Sequence, residues 1–445
     1  MQFSDLNLNT SLLKALDKNG FTRPTTIQAR AFSSIMSGRD VVGLAQTGTG
    51  KTFAYLLPLL RLWKYSKSPY PPILILVPTR ELVAQVVEEI EMLTEHTNLV
   101  VHGAYGGANI KRNISALEYG LDILVATPGR CYDLLLKGAL KAVTIKKLVI
   151  DEVDEMLNLG FRTQLRNILD FLPEKKQTLL FSATMTEDVE KLIDKFFIGP
   201  LRIEAAPMGQ PLENINQWAF HIPNFYSKVS LLKLLLNDKE VYKKVLIFTA
   251  TKKMADLLAE EINSEYEDEY GVIHGNKSQN FRFRVIDNFK SGDHRFIIAT
   301  DVVARGVDVS EVSHVINFDI PEEPENYIHR IGRTGRADMK GNAISFVTER
   351  DHDYIGAIEG LMNYKIPVEE LSEEVQISDV FIDEELPKIK MKTIRLKDTV
   401  KHSKGAFHEK KDKNKKENLS RAERARIRAI KTSIRRKKTK KKKKK

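Results

Sequence analysis

Up to about residue 370, short apolar runs alternate with segments in which apolar residues recur at helical spacing. Residues 41–44, 73–77, 123–126, 148–150 and 178–181 read as strands, each followed by polar or glycine-rich residues and then a helix-period stretch. A run apolar at nearly every position suits a strand buried on both faces. Helices between such strands predict a parallel α/β sheet. A second series, at 245–248, 296–299, 314–318 and 343–347, repeats the pattern. Between the two series, residues 200–211 gather Pro200, Pro207, Gly209 and Pro211 behind Gly199, a cluster that predicts an interdomain linker. The expected organisation is a first domain over 1–205, a linker over 206–211 and a second domain over 212–370. Both domains are expected to be open parallel sheets, which carry ligand sites at the carboxyl ends of their strands. No short-period repeat links the halves, so any kinship between them is one of fold.

Charge changes the picture at one end of the chain. The 445 residues carry 70 Lys+Arg and 59 Asp+Glu, a net of +11. Residues 387–445 hold 27 Lys+Arg against 5 Asp+Glu, so the tail carries +22 and the rest of the chain −11. Residues 371–386 (LSEEVQISDVFIDEEL) read as an acidic connector between the two. A mildly acidic body with a strongly basic tail points to a polyanionic partner, usually nucleic acid; a solvated solubility tail is the plainer alternative. Within the tail, Ser420 and Glu423 make a capping box ahead of Ile427, Ile430 and Ile434, which arginines surround. That pattern predicts a basic amphipathic helix that orders on a partner.

Other classes fall away. A hydrophobic content of 42% excludes wholesale disorder. The single cysteine, Cys131, excludes an internal disulfide and a Cys-based zinc site, and reads as a small buried hydrophobe. Residues 1–10 are polar and lack a basic n-region, and no apolar run approaches the roughly 18 residues of a membrane span. A soluble cytoplasmic protein, with no membrane partner and acting as a monomer, is expected.

The chemistry concentrates in three motifs. Residues 45–52 read Ala45-Gln46-Thr47-Gly48-Thr49-Gly50-Lys51-Thr52, a P-loop with alanine in its first glycine position. Gly48 and Gly50 let the backbone curl so that its N–H groups cradle phosphate, Lys51 reaches the β- and γ-phosphates, and Thr52 offers a hydroxyl to Mg²⁺. A helix beginning at Thr52 adds its dipole. Asp151-Glu152-Val153-Asp154 follows the apolar run 148–150, where a carboxylate is needed to hold Mg²⁺. Asp151 is assigned to the metal and Glu152 to the attacking water; an acid-rich helix start is the alternative. Residues 329–336 read His-Arg-Ile-Gly-Arg-Thr-Gly-Arg. Arg333 and Arg336 are spaced to leave a helix start together and to neutralise a phosphoryl transition state, although the run also suits a basic surface helix.

Together these motifs resemble the DEAD-box family of ATP-dependent RNA helicases over residues 1–370. The resemblance implies two tandem RecA-like domains, ATP and Mg²⁺ as cofactors, and RNA, single-stranded or in short duplexes, as partner. Gly20–Gln28 is similar to the Q motif, with Gln28 on the adenine edge beside Phe21, and Phe3 stands where the family keeps an aromatic near adenine. Pro78-Thr79-Arg80, Gly106-Gly107 and Thr127-Pro128-Gly129-Arg130 resemble the RNA-binding motifs of the first domain. Gln279, Arg282, Thr300 and Asp301 resemble those of the second. Ser182-Ala183-Thr184, Asp154 and His329 are implied to couple the ATP site to RNA. Gly306 and Asp308 are implied to meet the nucleotide, and Arg336 to be the arginine finger, with Arg333 beside it.

The chain departs from the family at Val153, where alanine is usual, and at Glu155, where a basic residue is common. The valine is expected to change packing and to leave activity intact, while the role of Glu155 does not follow from sequence. Rival readings are a DNA translocase, which shares the P-loop, a non-catalytic RNA clamp, and a nucleotide kinase, for which no substrate-binding insert is evident. The physiological RNA stays open: ribosomal precursor particles, RNA-degradation machinery and a cold response all fit.

Overall fold

A computed structural model describes residues 1–45, 48–66, 68–204, 214–301, 312–335 and 340–386. Its strands, in chain order, are β1 Val41–Leu44, β2 Ile73–Leu76, β3 Val101–Ala104, β4 Ile123–Ala126, β5 Lys147–Ile150, β6 Gln177–Ser182 and β7 Leu201–Glu204, then β8 Ile215–His221, β9 Val245–Thr249, β10 Tyr270–Ile273, β11 Phe296–Thr300, β12 His314–Asn317, β13 Gly341–Val347 and β14 Val368–Glu369. They form two parallel sheets, ordered β3-β4-β2-β5-β6-β1-β7 and β10-β11-β9-β12-β13-β8-β14. Counting β8 as the first strand of its sheet, the two orders are the same. The kinship of the halves is therefore a duplicated topology without a readable sequence repeat.

The runs expected to be strands are strands, because each presents side chains to two cores at once. In the first sheet Val41, Ile75, Ile123 and Val149 pack into one layer, while Val42, Leu74, Leu124 and Leu148 pack into the layer on the opposite face. In the second, Val245 and Ile247 face one core and Leu246 and Phe248 the other. Successive strand residues point to opposite faces, so burial on both sides demands an uninterrupted apolar run. Cys131 lies fully buried in this packing, and burial pushes its thiol up beyond any physiological range.

Residues 201–204, at the start of the proline and glycine cluster, are β7, which pairs with β1 from Val41↔Leu201 to Leu44↔Glu204 inside the expected first domain. Residues 206–211 lie outside the described residues. The acidic segment 371–386 is not a bare connector. It straps across the second half, burying Val375 and Ile382 in the core of that half. Its backbone is tied down by Gln376 N–H to Ser230 Oγ (2.8 Å) and Ser378 N–H to Ser227 Oγ (2.9 Å). Glu385 ends the strap with its carboxylate accepting the Phe225 N–H at 2.6 Å, at the start of the helix Phe225–Asn237. Lys253 pairs with Glu384 beside it.

Candidate functional site

The carboxyl ends of β1, β5 and β6 lie side by side, since Leu44 pairs with Ser182 and Ile150 with Leu180. Three loops leave from this edge. After β1 comes the P-loop, where Gly48 and Gly50 have φ of 80° and 85°, a left-handed backbone that glycine alone adopts freely. A Cβ on Gly50 would also collide with the Gln28 amide. Gln28 Nε2 donates to the Gly50 carbonyl (3.1 Å), and its Oε1 accepts the Thr25 N–H (3.0 Å). Gln28 therefore braces the P-loop from behind, and retains one amide hydrogen and one lone pair for a base. The helix Lys51–Leu62 starts immediately after. Lys51 is 7% exposed, and its Nζ is buried without a hydrogen-bond partner. A buried ammonium at a helix N-terminus lacks only an anion.

After β5 comes Asp151, whose N–H donates to the Leu76 carbonyl (2.9 Å). Burial pushes its carboxyl up to about 6; Glu152 adds to the rise, while Lys51 and the Tyr55 hydroxyl oppose it. Glu152 holds φ 51° and ψ 50°, a strained conformation for a residue with a side chain. Its N–H donates to Asp151 Oδ1 (2.9 Å), and its Oε2 is buried without a partner. These groups suit a hard divalent cation that keeps several waters: one carboxylate, one hydroxyl from Thr52, and a lysine placed for phosphate. Val153 is fully buried among the helices below, so its extra methyl groups fill core volume.

After β6 comes Ser182-Ala183-Thr184, wrapped around Asp154. The Asp154 carboxylate accepts from the Ala183 N–H (3.2 Å), the Thr184 N–H (2.9 Å) and the Thr184 hydroxyl (2.9 Å). Burial alone would raise its pKa, but His329, Lys51, Thr184 and Ser182 outweigh burial and hold it below the usual carboxylate range. His329 arrives from the second half, with Nε2 3.9 Å from Asp154 and Nδ1 2.7 Å from Glu155.

Several residues stand elsewhere than expected. Phe3 is 4% exposed and packed in the first core, so its ring offers no face to a base; Phe21, 42% exposed and edge-on to Phe53, is the available ring. Arg130 is buried, with its guanidinium on Asn113 Oδ1 and the Ala108 carbonyl (2.7 Å), and so props the Gly106-Gly107 loop. Asp301 is taken up by Arg330, which grips both its oxygens at 2.5 and 2.8 Å, and is a structural anchor. Arg333 follows the end of the helix Pro324–Ile331, not a helix start. Gln46, Thr47, Gly306, Asp308 and Arg336 lie outside the described residues.

The expected RNA residues split into two groups. Thr79 and Thr127 begin helices at strand ends, Pro128 opens the second of these, and a Cβ at Gly129 would meet only open space. Thr300 closes β11. By contrast, Arg80 lies over Gly107 and reaches Gln279 Oε1 (3.4 Å). Gln279 Nε2 donates to Glu81 (2.9 Å), and Arg282 pairs with the same carboxylate (3.0 Å). These four bridge the two halves. Glu81 and Arg330 are the functional groups that sequence reasoning passed over. Glu81 directly follows Pro78-Thr79-Arg80 and Arg330 sits inside 329–336, and the signal was a charged residue among positions that fold inward.

Comparison with known proteins bears on the family and the fold. The DEAD/DEAH box helicase model matches residues 25–192, and the helicase conserved C-terminal domain model matches residues 227–338. The chain is 40% identical over 351 residues to the DEAD-box ATP-dependent RNA helicase RhpA of Helicobacter pylori (strain ATCC 700392 / 26695), covering 79% of this chain and 70% of RhpA. It superposes on S. cerevisiae Dbp5 bound to RNA and ADP BeF3 with a TM-score of 0.76 at 30% identity, over 83% of this chain and 95% of that one. The DEAD-box helicase Mss116 bound to ssRNA and UDP-BeF gives a TM-score of 0.76 at 28% identity, over 84% and 80% of the two chains.

Proposed function

Because this chain belongs to the DEAD-box family of ATP-dependent RNA helicases, we propose that its two halves close over ATP and single-stranded RNA and that hydrolysis reopens them. The enzyme is an RNA-stimulated ATP hydrolase that locally unwinds or remodels RNA. One observation carries the site assignment: the partnerless Lys51 Nζ, the Asp151 carboxylate and the aimed Glu152 share one strand edge, with His329 of the other half already against the neighbouring acid.

In this reading the N–H groups around Gly48–Gly50 and the Lys51 ammonium bind the phosphates. Thr52 and Asp151 would hold Mg²⁺, which when bound neutralises charge developing on the phosphates. Glu152, directed into the site by its left-handed backbone, orients the attacking water. Phe21 and the free capacity of Gln28 take the adenine. Arg336, with Arg333, supplies positive charge from the second half once the cleft closes. RNA lies along the strand ends of Thr79, Gly106-Gly107, Thr127 and Thr300, held through phosphates and 2′-hydroxyls and so with little sequence preference. The DEVD form of the acidic motif keeps every liganding group, since Val153 faces the core. No helix among the described residues is long and apolar enough to cross a membrane, and a cytoplasmic monomer is the proposed setting.

Arg336→Ala is expected to cut RNA-stimulated ATP turnover by about 10³-fold or more, as removal of an arginine finger does. Unchanged turnover rejects the finger assignment. Stimulation by RNA but not by DNA of the same sequence separates this reading from a DNA translocase.

A further inference from the structure

Beyond its contact with His329, Glu155 has been given no role. Acids are favoured in the first turn of a helix by its dipole, and Glu155 lies in the first turn of Val153–Asn158. That explains an acid at the position but not its burial: the side chain is only 3% exposed. A buried carboxylate is unfavourable unless it is paired. His329, on the other half of the molecule, is 2.7 Å away through Nδ1, and its own side chain is 5% exposed. The other ring nitrogen, Nε2, is turned to Asp154 at 3.9 Å. Asp154 in turn holds Ala183 and Thr184. The imidazole thus has one nitrogen in close contact with the Glu155 carboxylate and the other turned toward Asp154, and what stands at one ring nitrogen biases what the second presents.

We propose that Glu155 is the positioning residue for His329, orienting its ring onto Asp154 and thereby tying closure of the halves to the Ser182-Ala183-Thr184 loop. This rests on the closure reading above and adds a residue to it. The pair forms only when the halves meet, so Glu155 stabilises the closed arrangement and leaves nucleotide binding to the first half alone.

Two measurements on the full chain test this. Dyes on Tyr119→Cys and Glu240→Cys, both at exposed sites, report closure by energy transfer, since the native Cys131 is buried. RNA affinity is measured alongside, with a non-hydrolysable ATP analogue. The otherwise unsubstituted chain closes on RNA and analogue; its failure to do so overturns the closure reading and this proposal together. Glu155→Ala is expected to lower analogue-dependent RNA affinity by about 30-fold or more, the scale of a broken buried charge pair. Its affinity for fluorescent ADP should hold. Glu155→Gln, which keeps shape and an acceptor oxygen, is expected to fold and to lose less. Combining Glu155→Gln with His329→Gln should add little to His329→Gln alone, because the pair acts as a unit. Full additivity, or RNA affinity unchanged in both Glu155 variants, overturns the proposal.

Discussion

At the scale of single residues, Asp151 shows a group whose placement works against folding. Its carboxyl titrates near 3.8 in an unfolded chain and near about 6 in the fold, chiefly through burial. The native state therefore holds a proton across that interval that the unfolded chain has released. This contribution to stability is full below 3.8 and is lost as pH rises through 6. At pH 7 the ionised form is penalised by on the order of 3 kcal/mol. Asp151→Asn is expected to abolish ATP turnover while raising unfolding free energy at pH 7 by roughly 1–3 kcal/mol, with no gain near pH 3.5; urea titrations at the two pH values check both signs. Lys51, Gly50 and Asp151 were legible in the sequence because phosphate and metal chemistry requires those residue types in one contiguous order. Phe3, Arg130 and Asp301 were not. Whether a ring or a charge faces solvent depends on neighbours distant in the chain, such as Asn113 for Arg130 and Arg330 for Asp301.

At the scale of elements, the strands that escaped the apolar pattern are β3, β7, β10, β14 and β8. The first four are the edges of the two sheets, and β8 lies next to β14. An edge strand has a single neighbour and less to bury: β7 and β14 are largely exposed, and β8 alternates. The two-sided run that marks an inner strand is missing from β3, β7, β8 and β14, while β10 is buried at Gly271, Val272 and Ile273 and is hidden in the sequence by its tyrosine and glycine. The strap at 371–386 escaped for a related reason, since its few buried residues are diluted by acids. Truncation after residue 370 removes Val375 and Ile382 from the second core, together with the Glu385 contact at a helix start. At about 1.5–3 kcal/mol per buried aliphatic side chain and about 1 kcal/mol for the cap, the loss is expected to lower the melting temperature of the second half by about 10 °C or more. Truncation after residue 386 should leave it unchanged. Calorimetry of the two truncated chains separates a strap from a spacer.

At the scale of the whole molecule, the halves divide the work unequally. The first carries the P-loop and the acidic motif; the second brings His329, Arg333 and Arg336. The −11 body is poorly suited to attract RNA from a distance, and its grip is local. The +22 tail is expected to supply the long-range term and to raise the RNA concentration at the core by tethering. Deleting residues 387–445 is expected to flatten the dependence of RNA affinity on salt, since each lost phosphate contact removes a slope of roughly 0.7 on single strands. Binding measured across a salt series with and without the tail reads this directly, and equal slopes would leave the tail a solubility device.

The duplicated strand order gives the strap a second meaning. In the first half, the strand β1 leads into a helix whose N-terminus is open to phosphate. In the second, the equivalent strand β8 leads into Phe225–Asn237, and the Glu385 carboxylate already occupies that helix start. The chain thus carries two anion sockets and stoppers one of them with its own side chain. Glu384, beside the stopper, pairs with Lys253 in the first turn of the helix that follows β9.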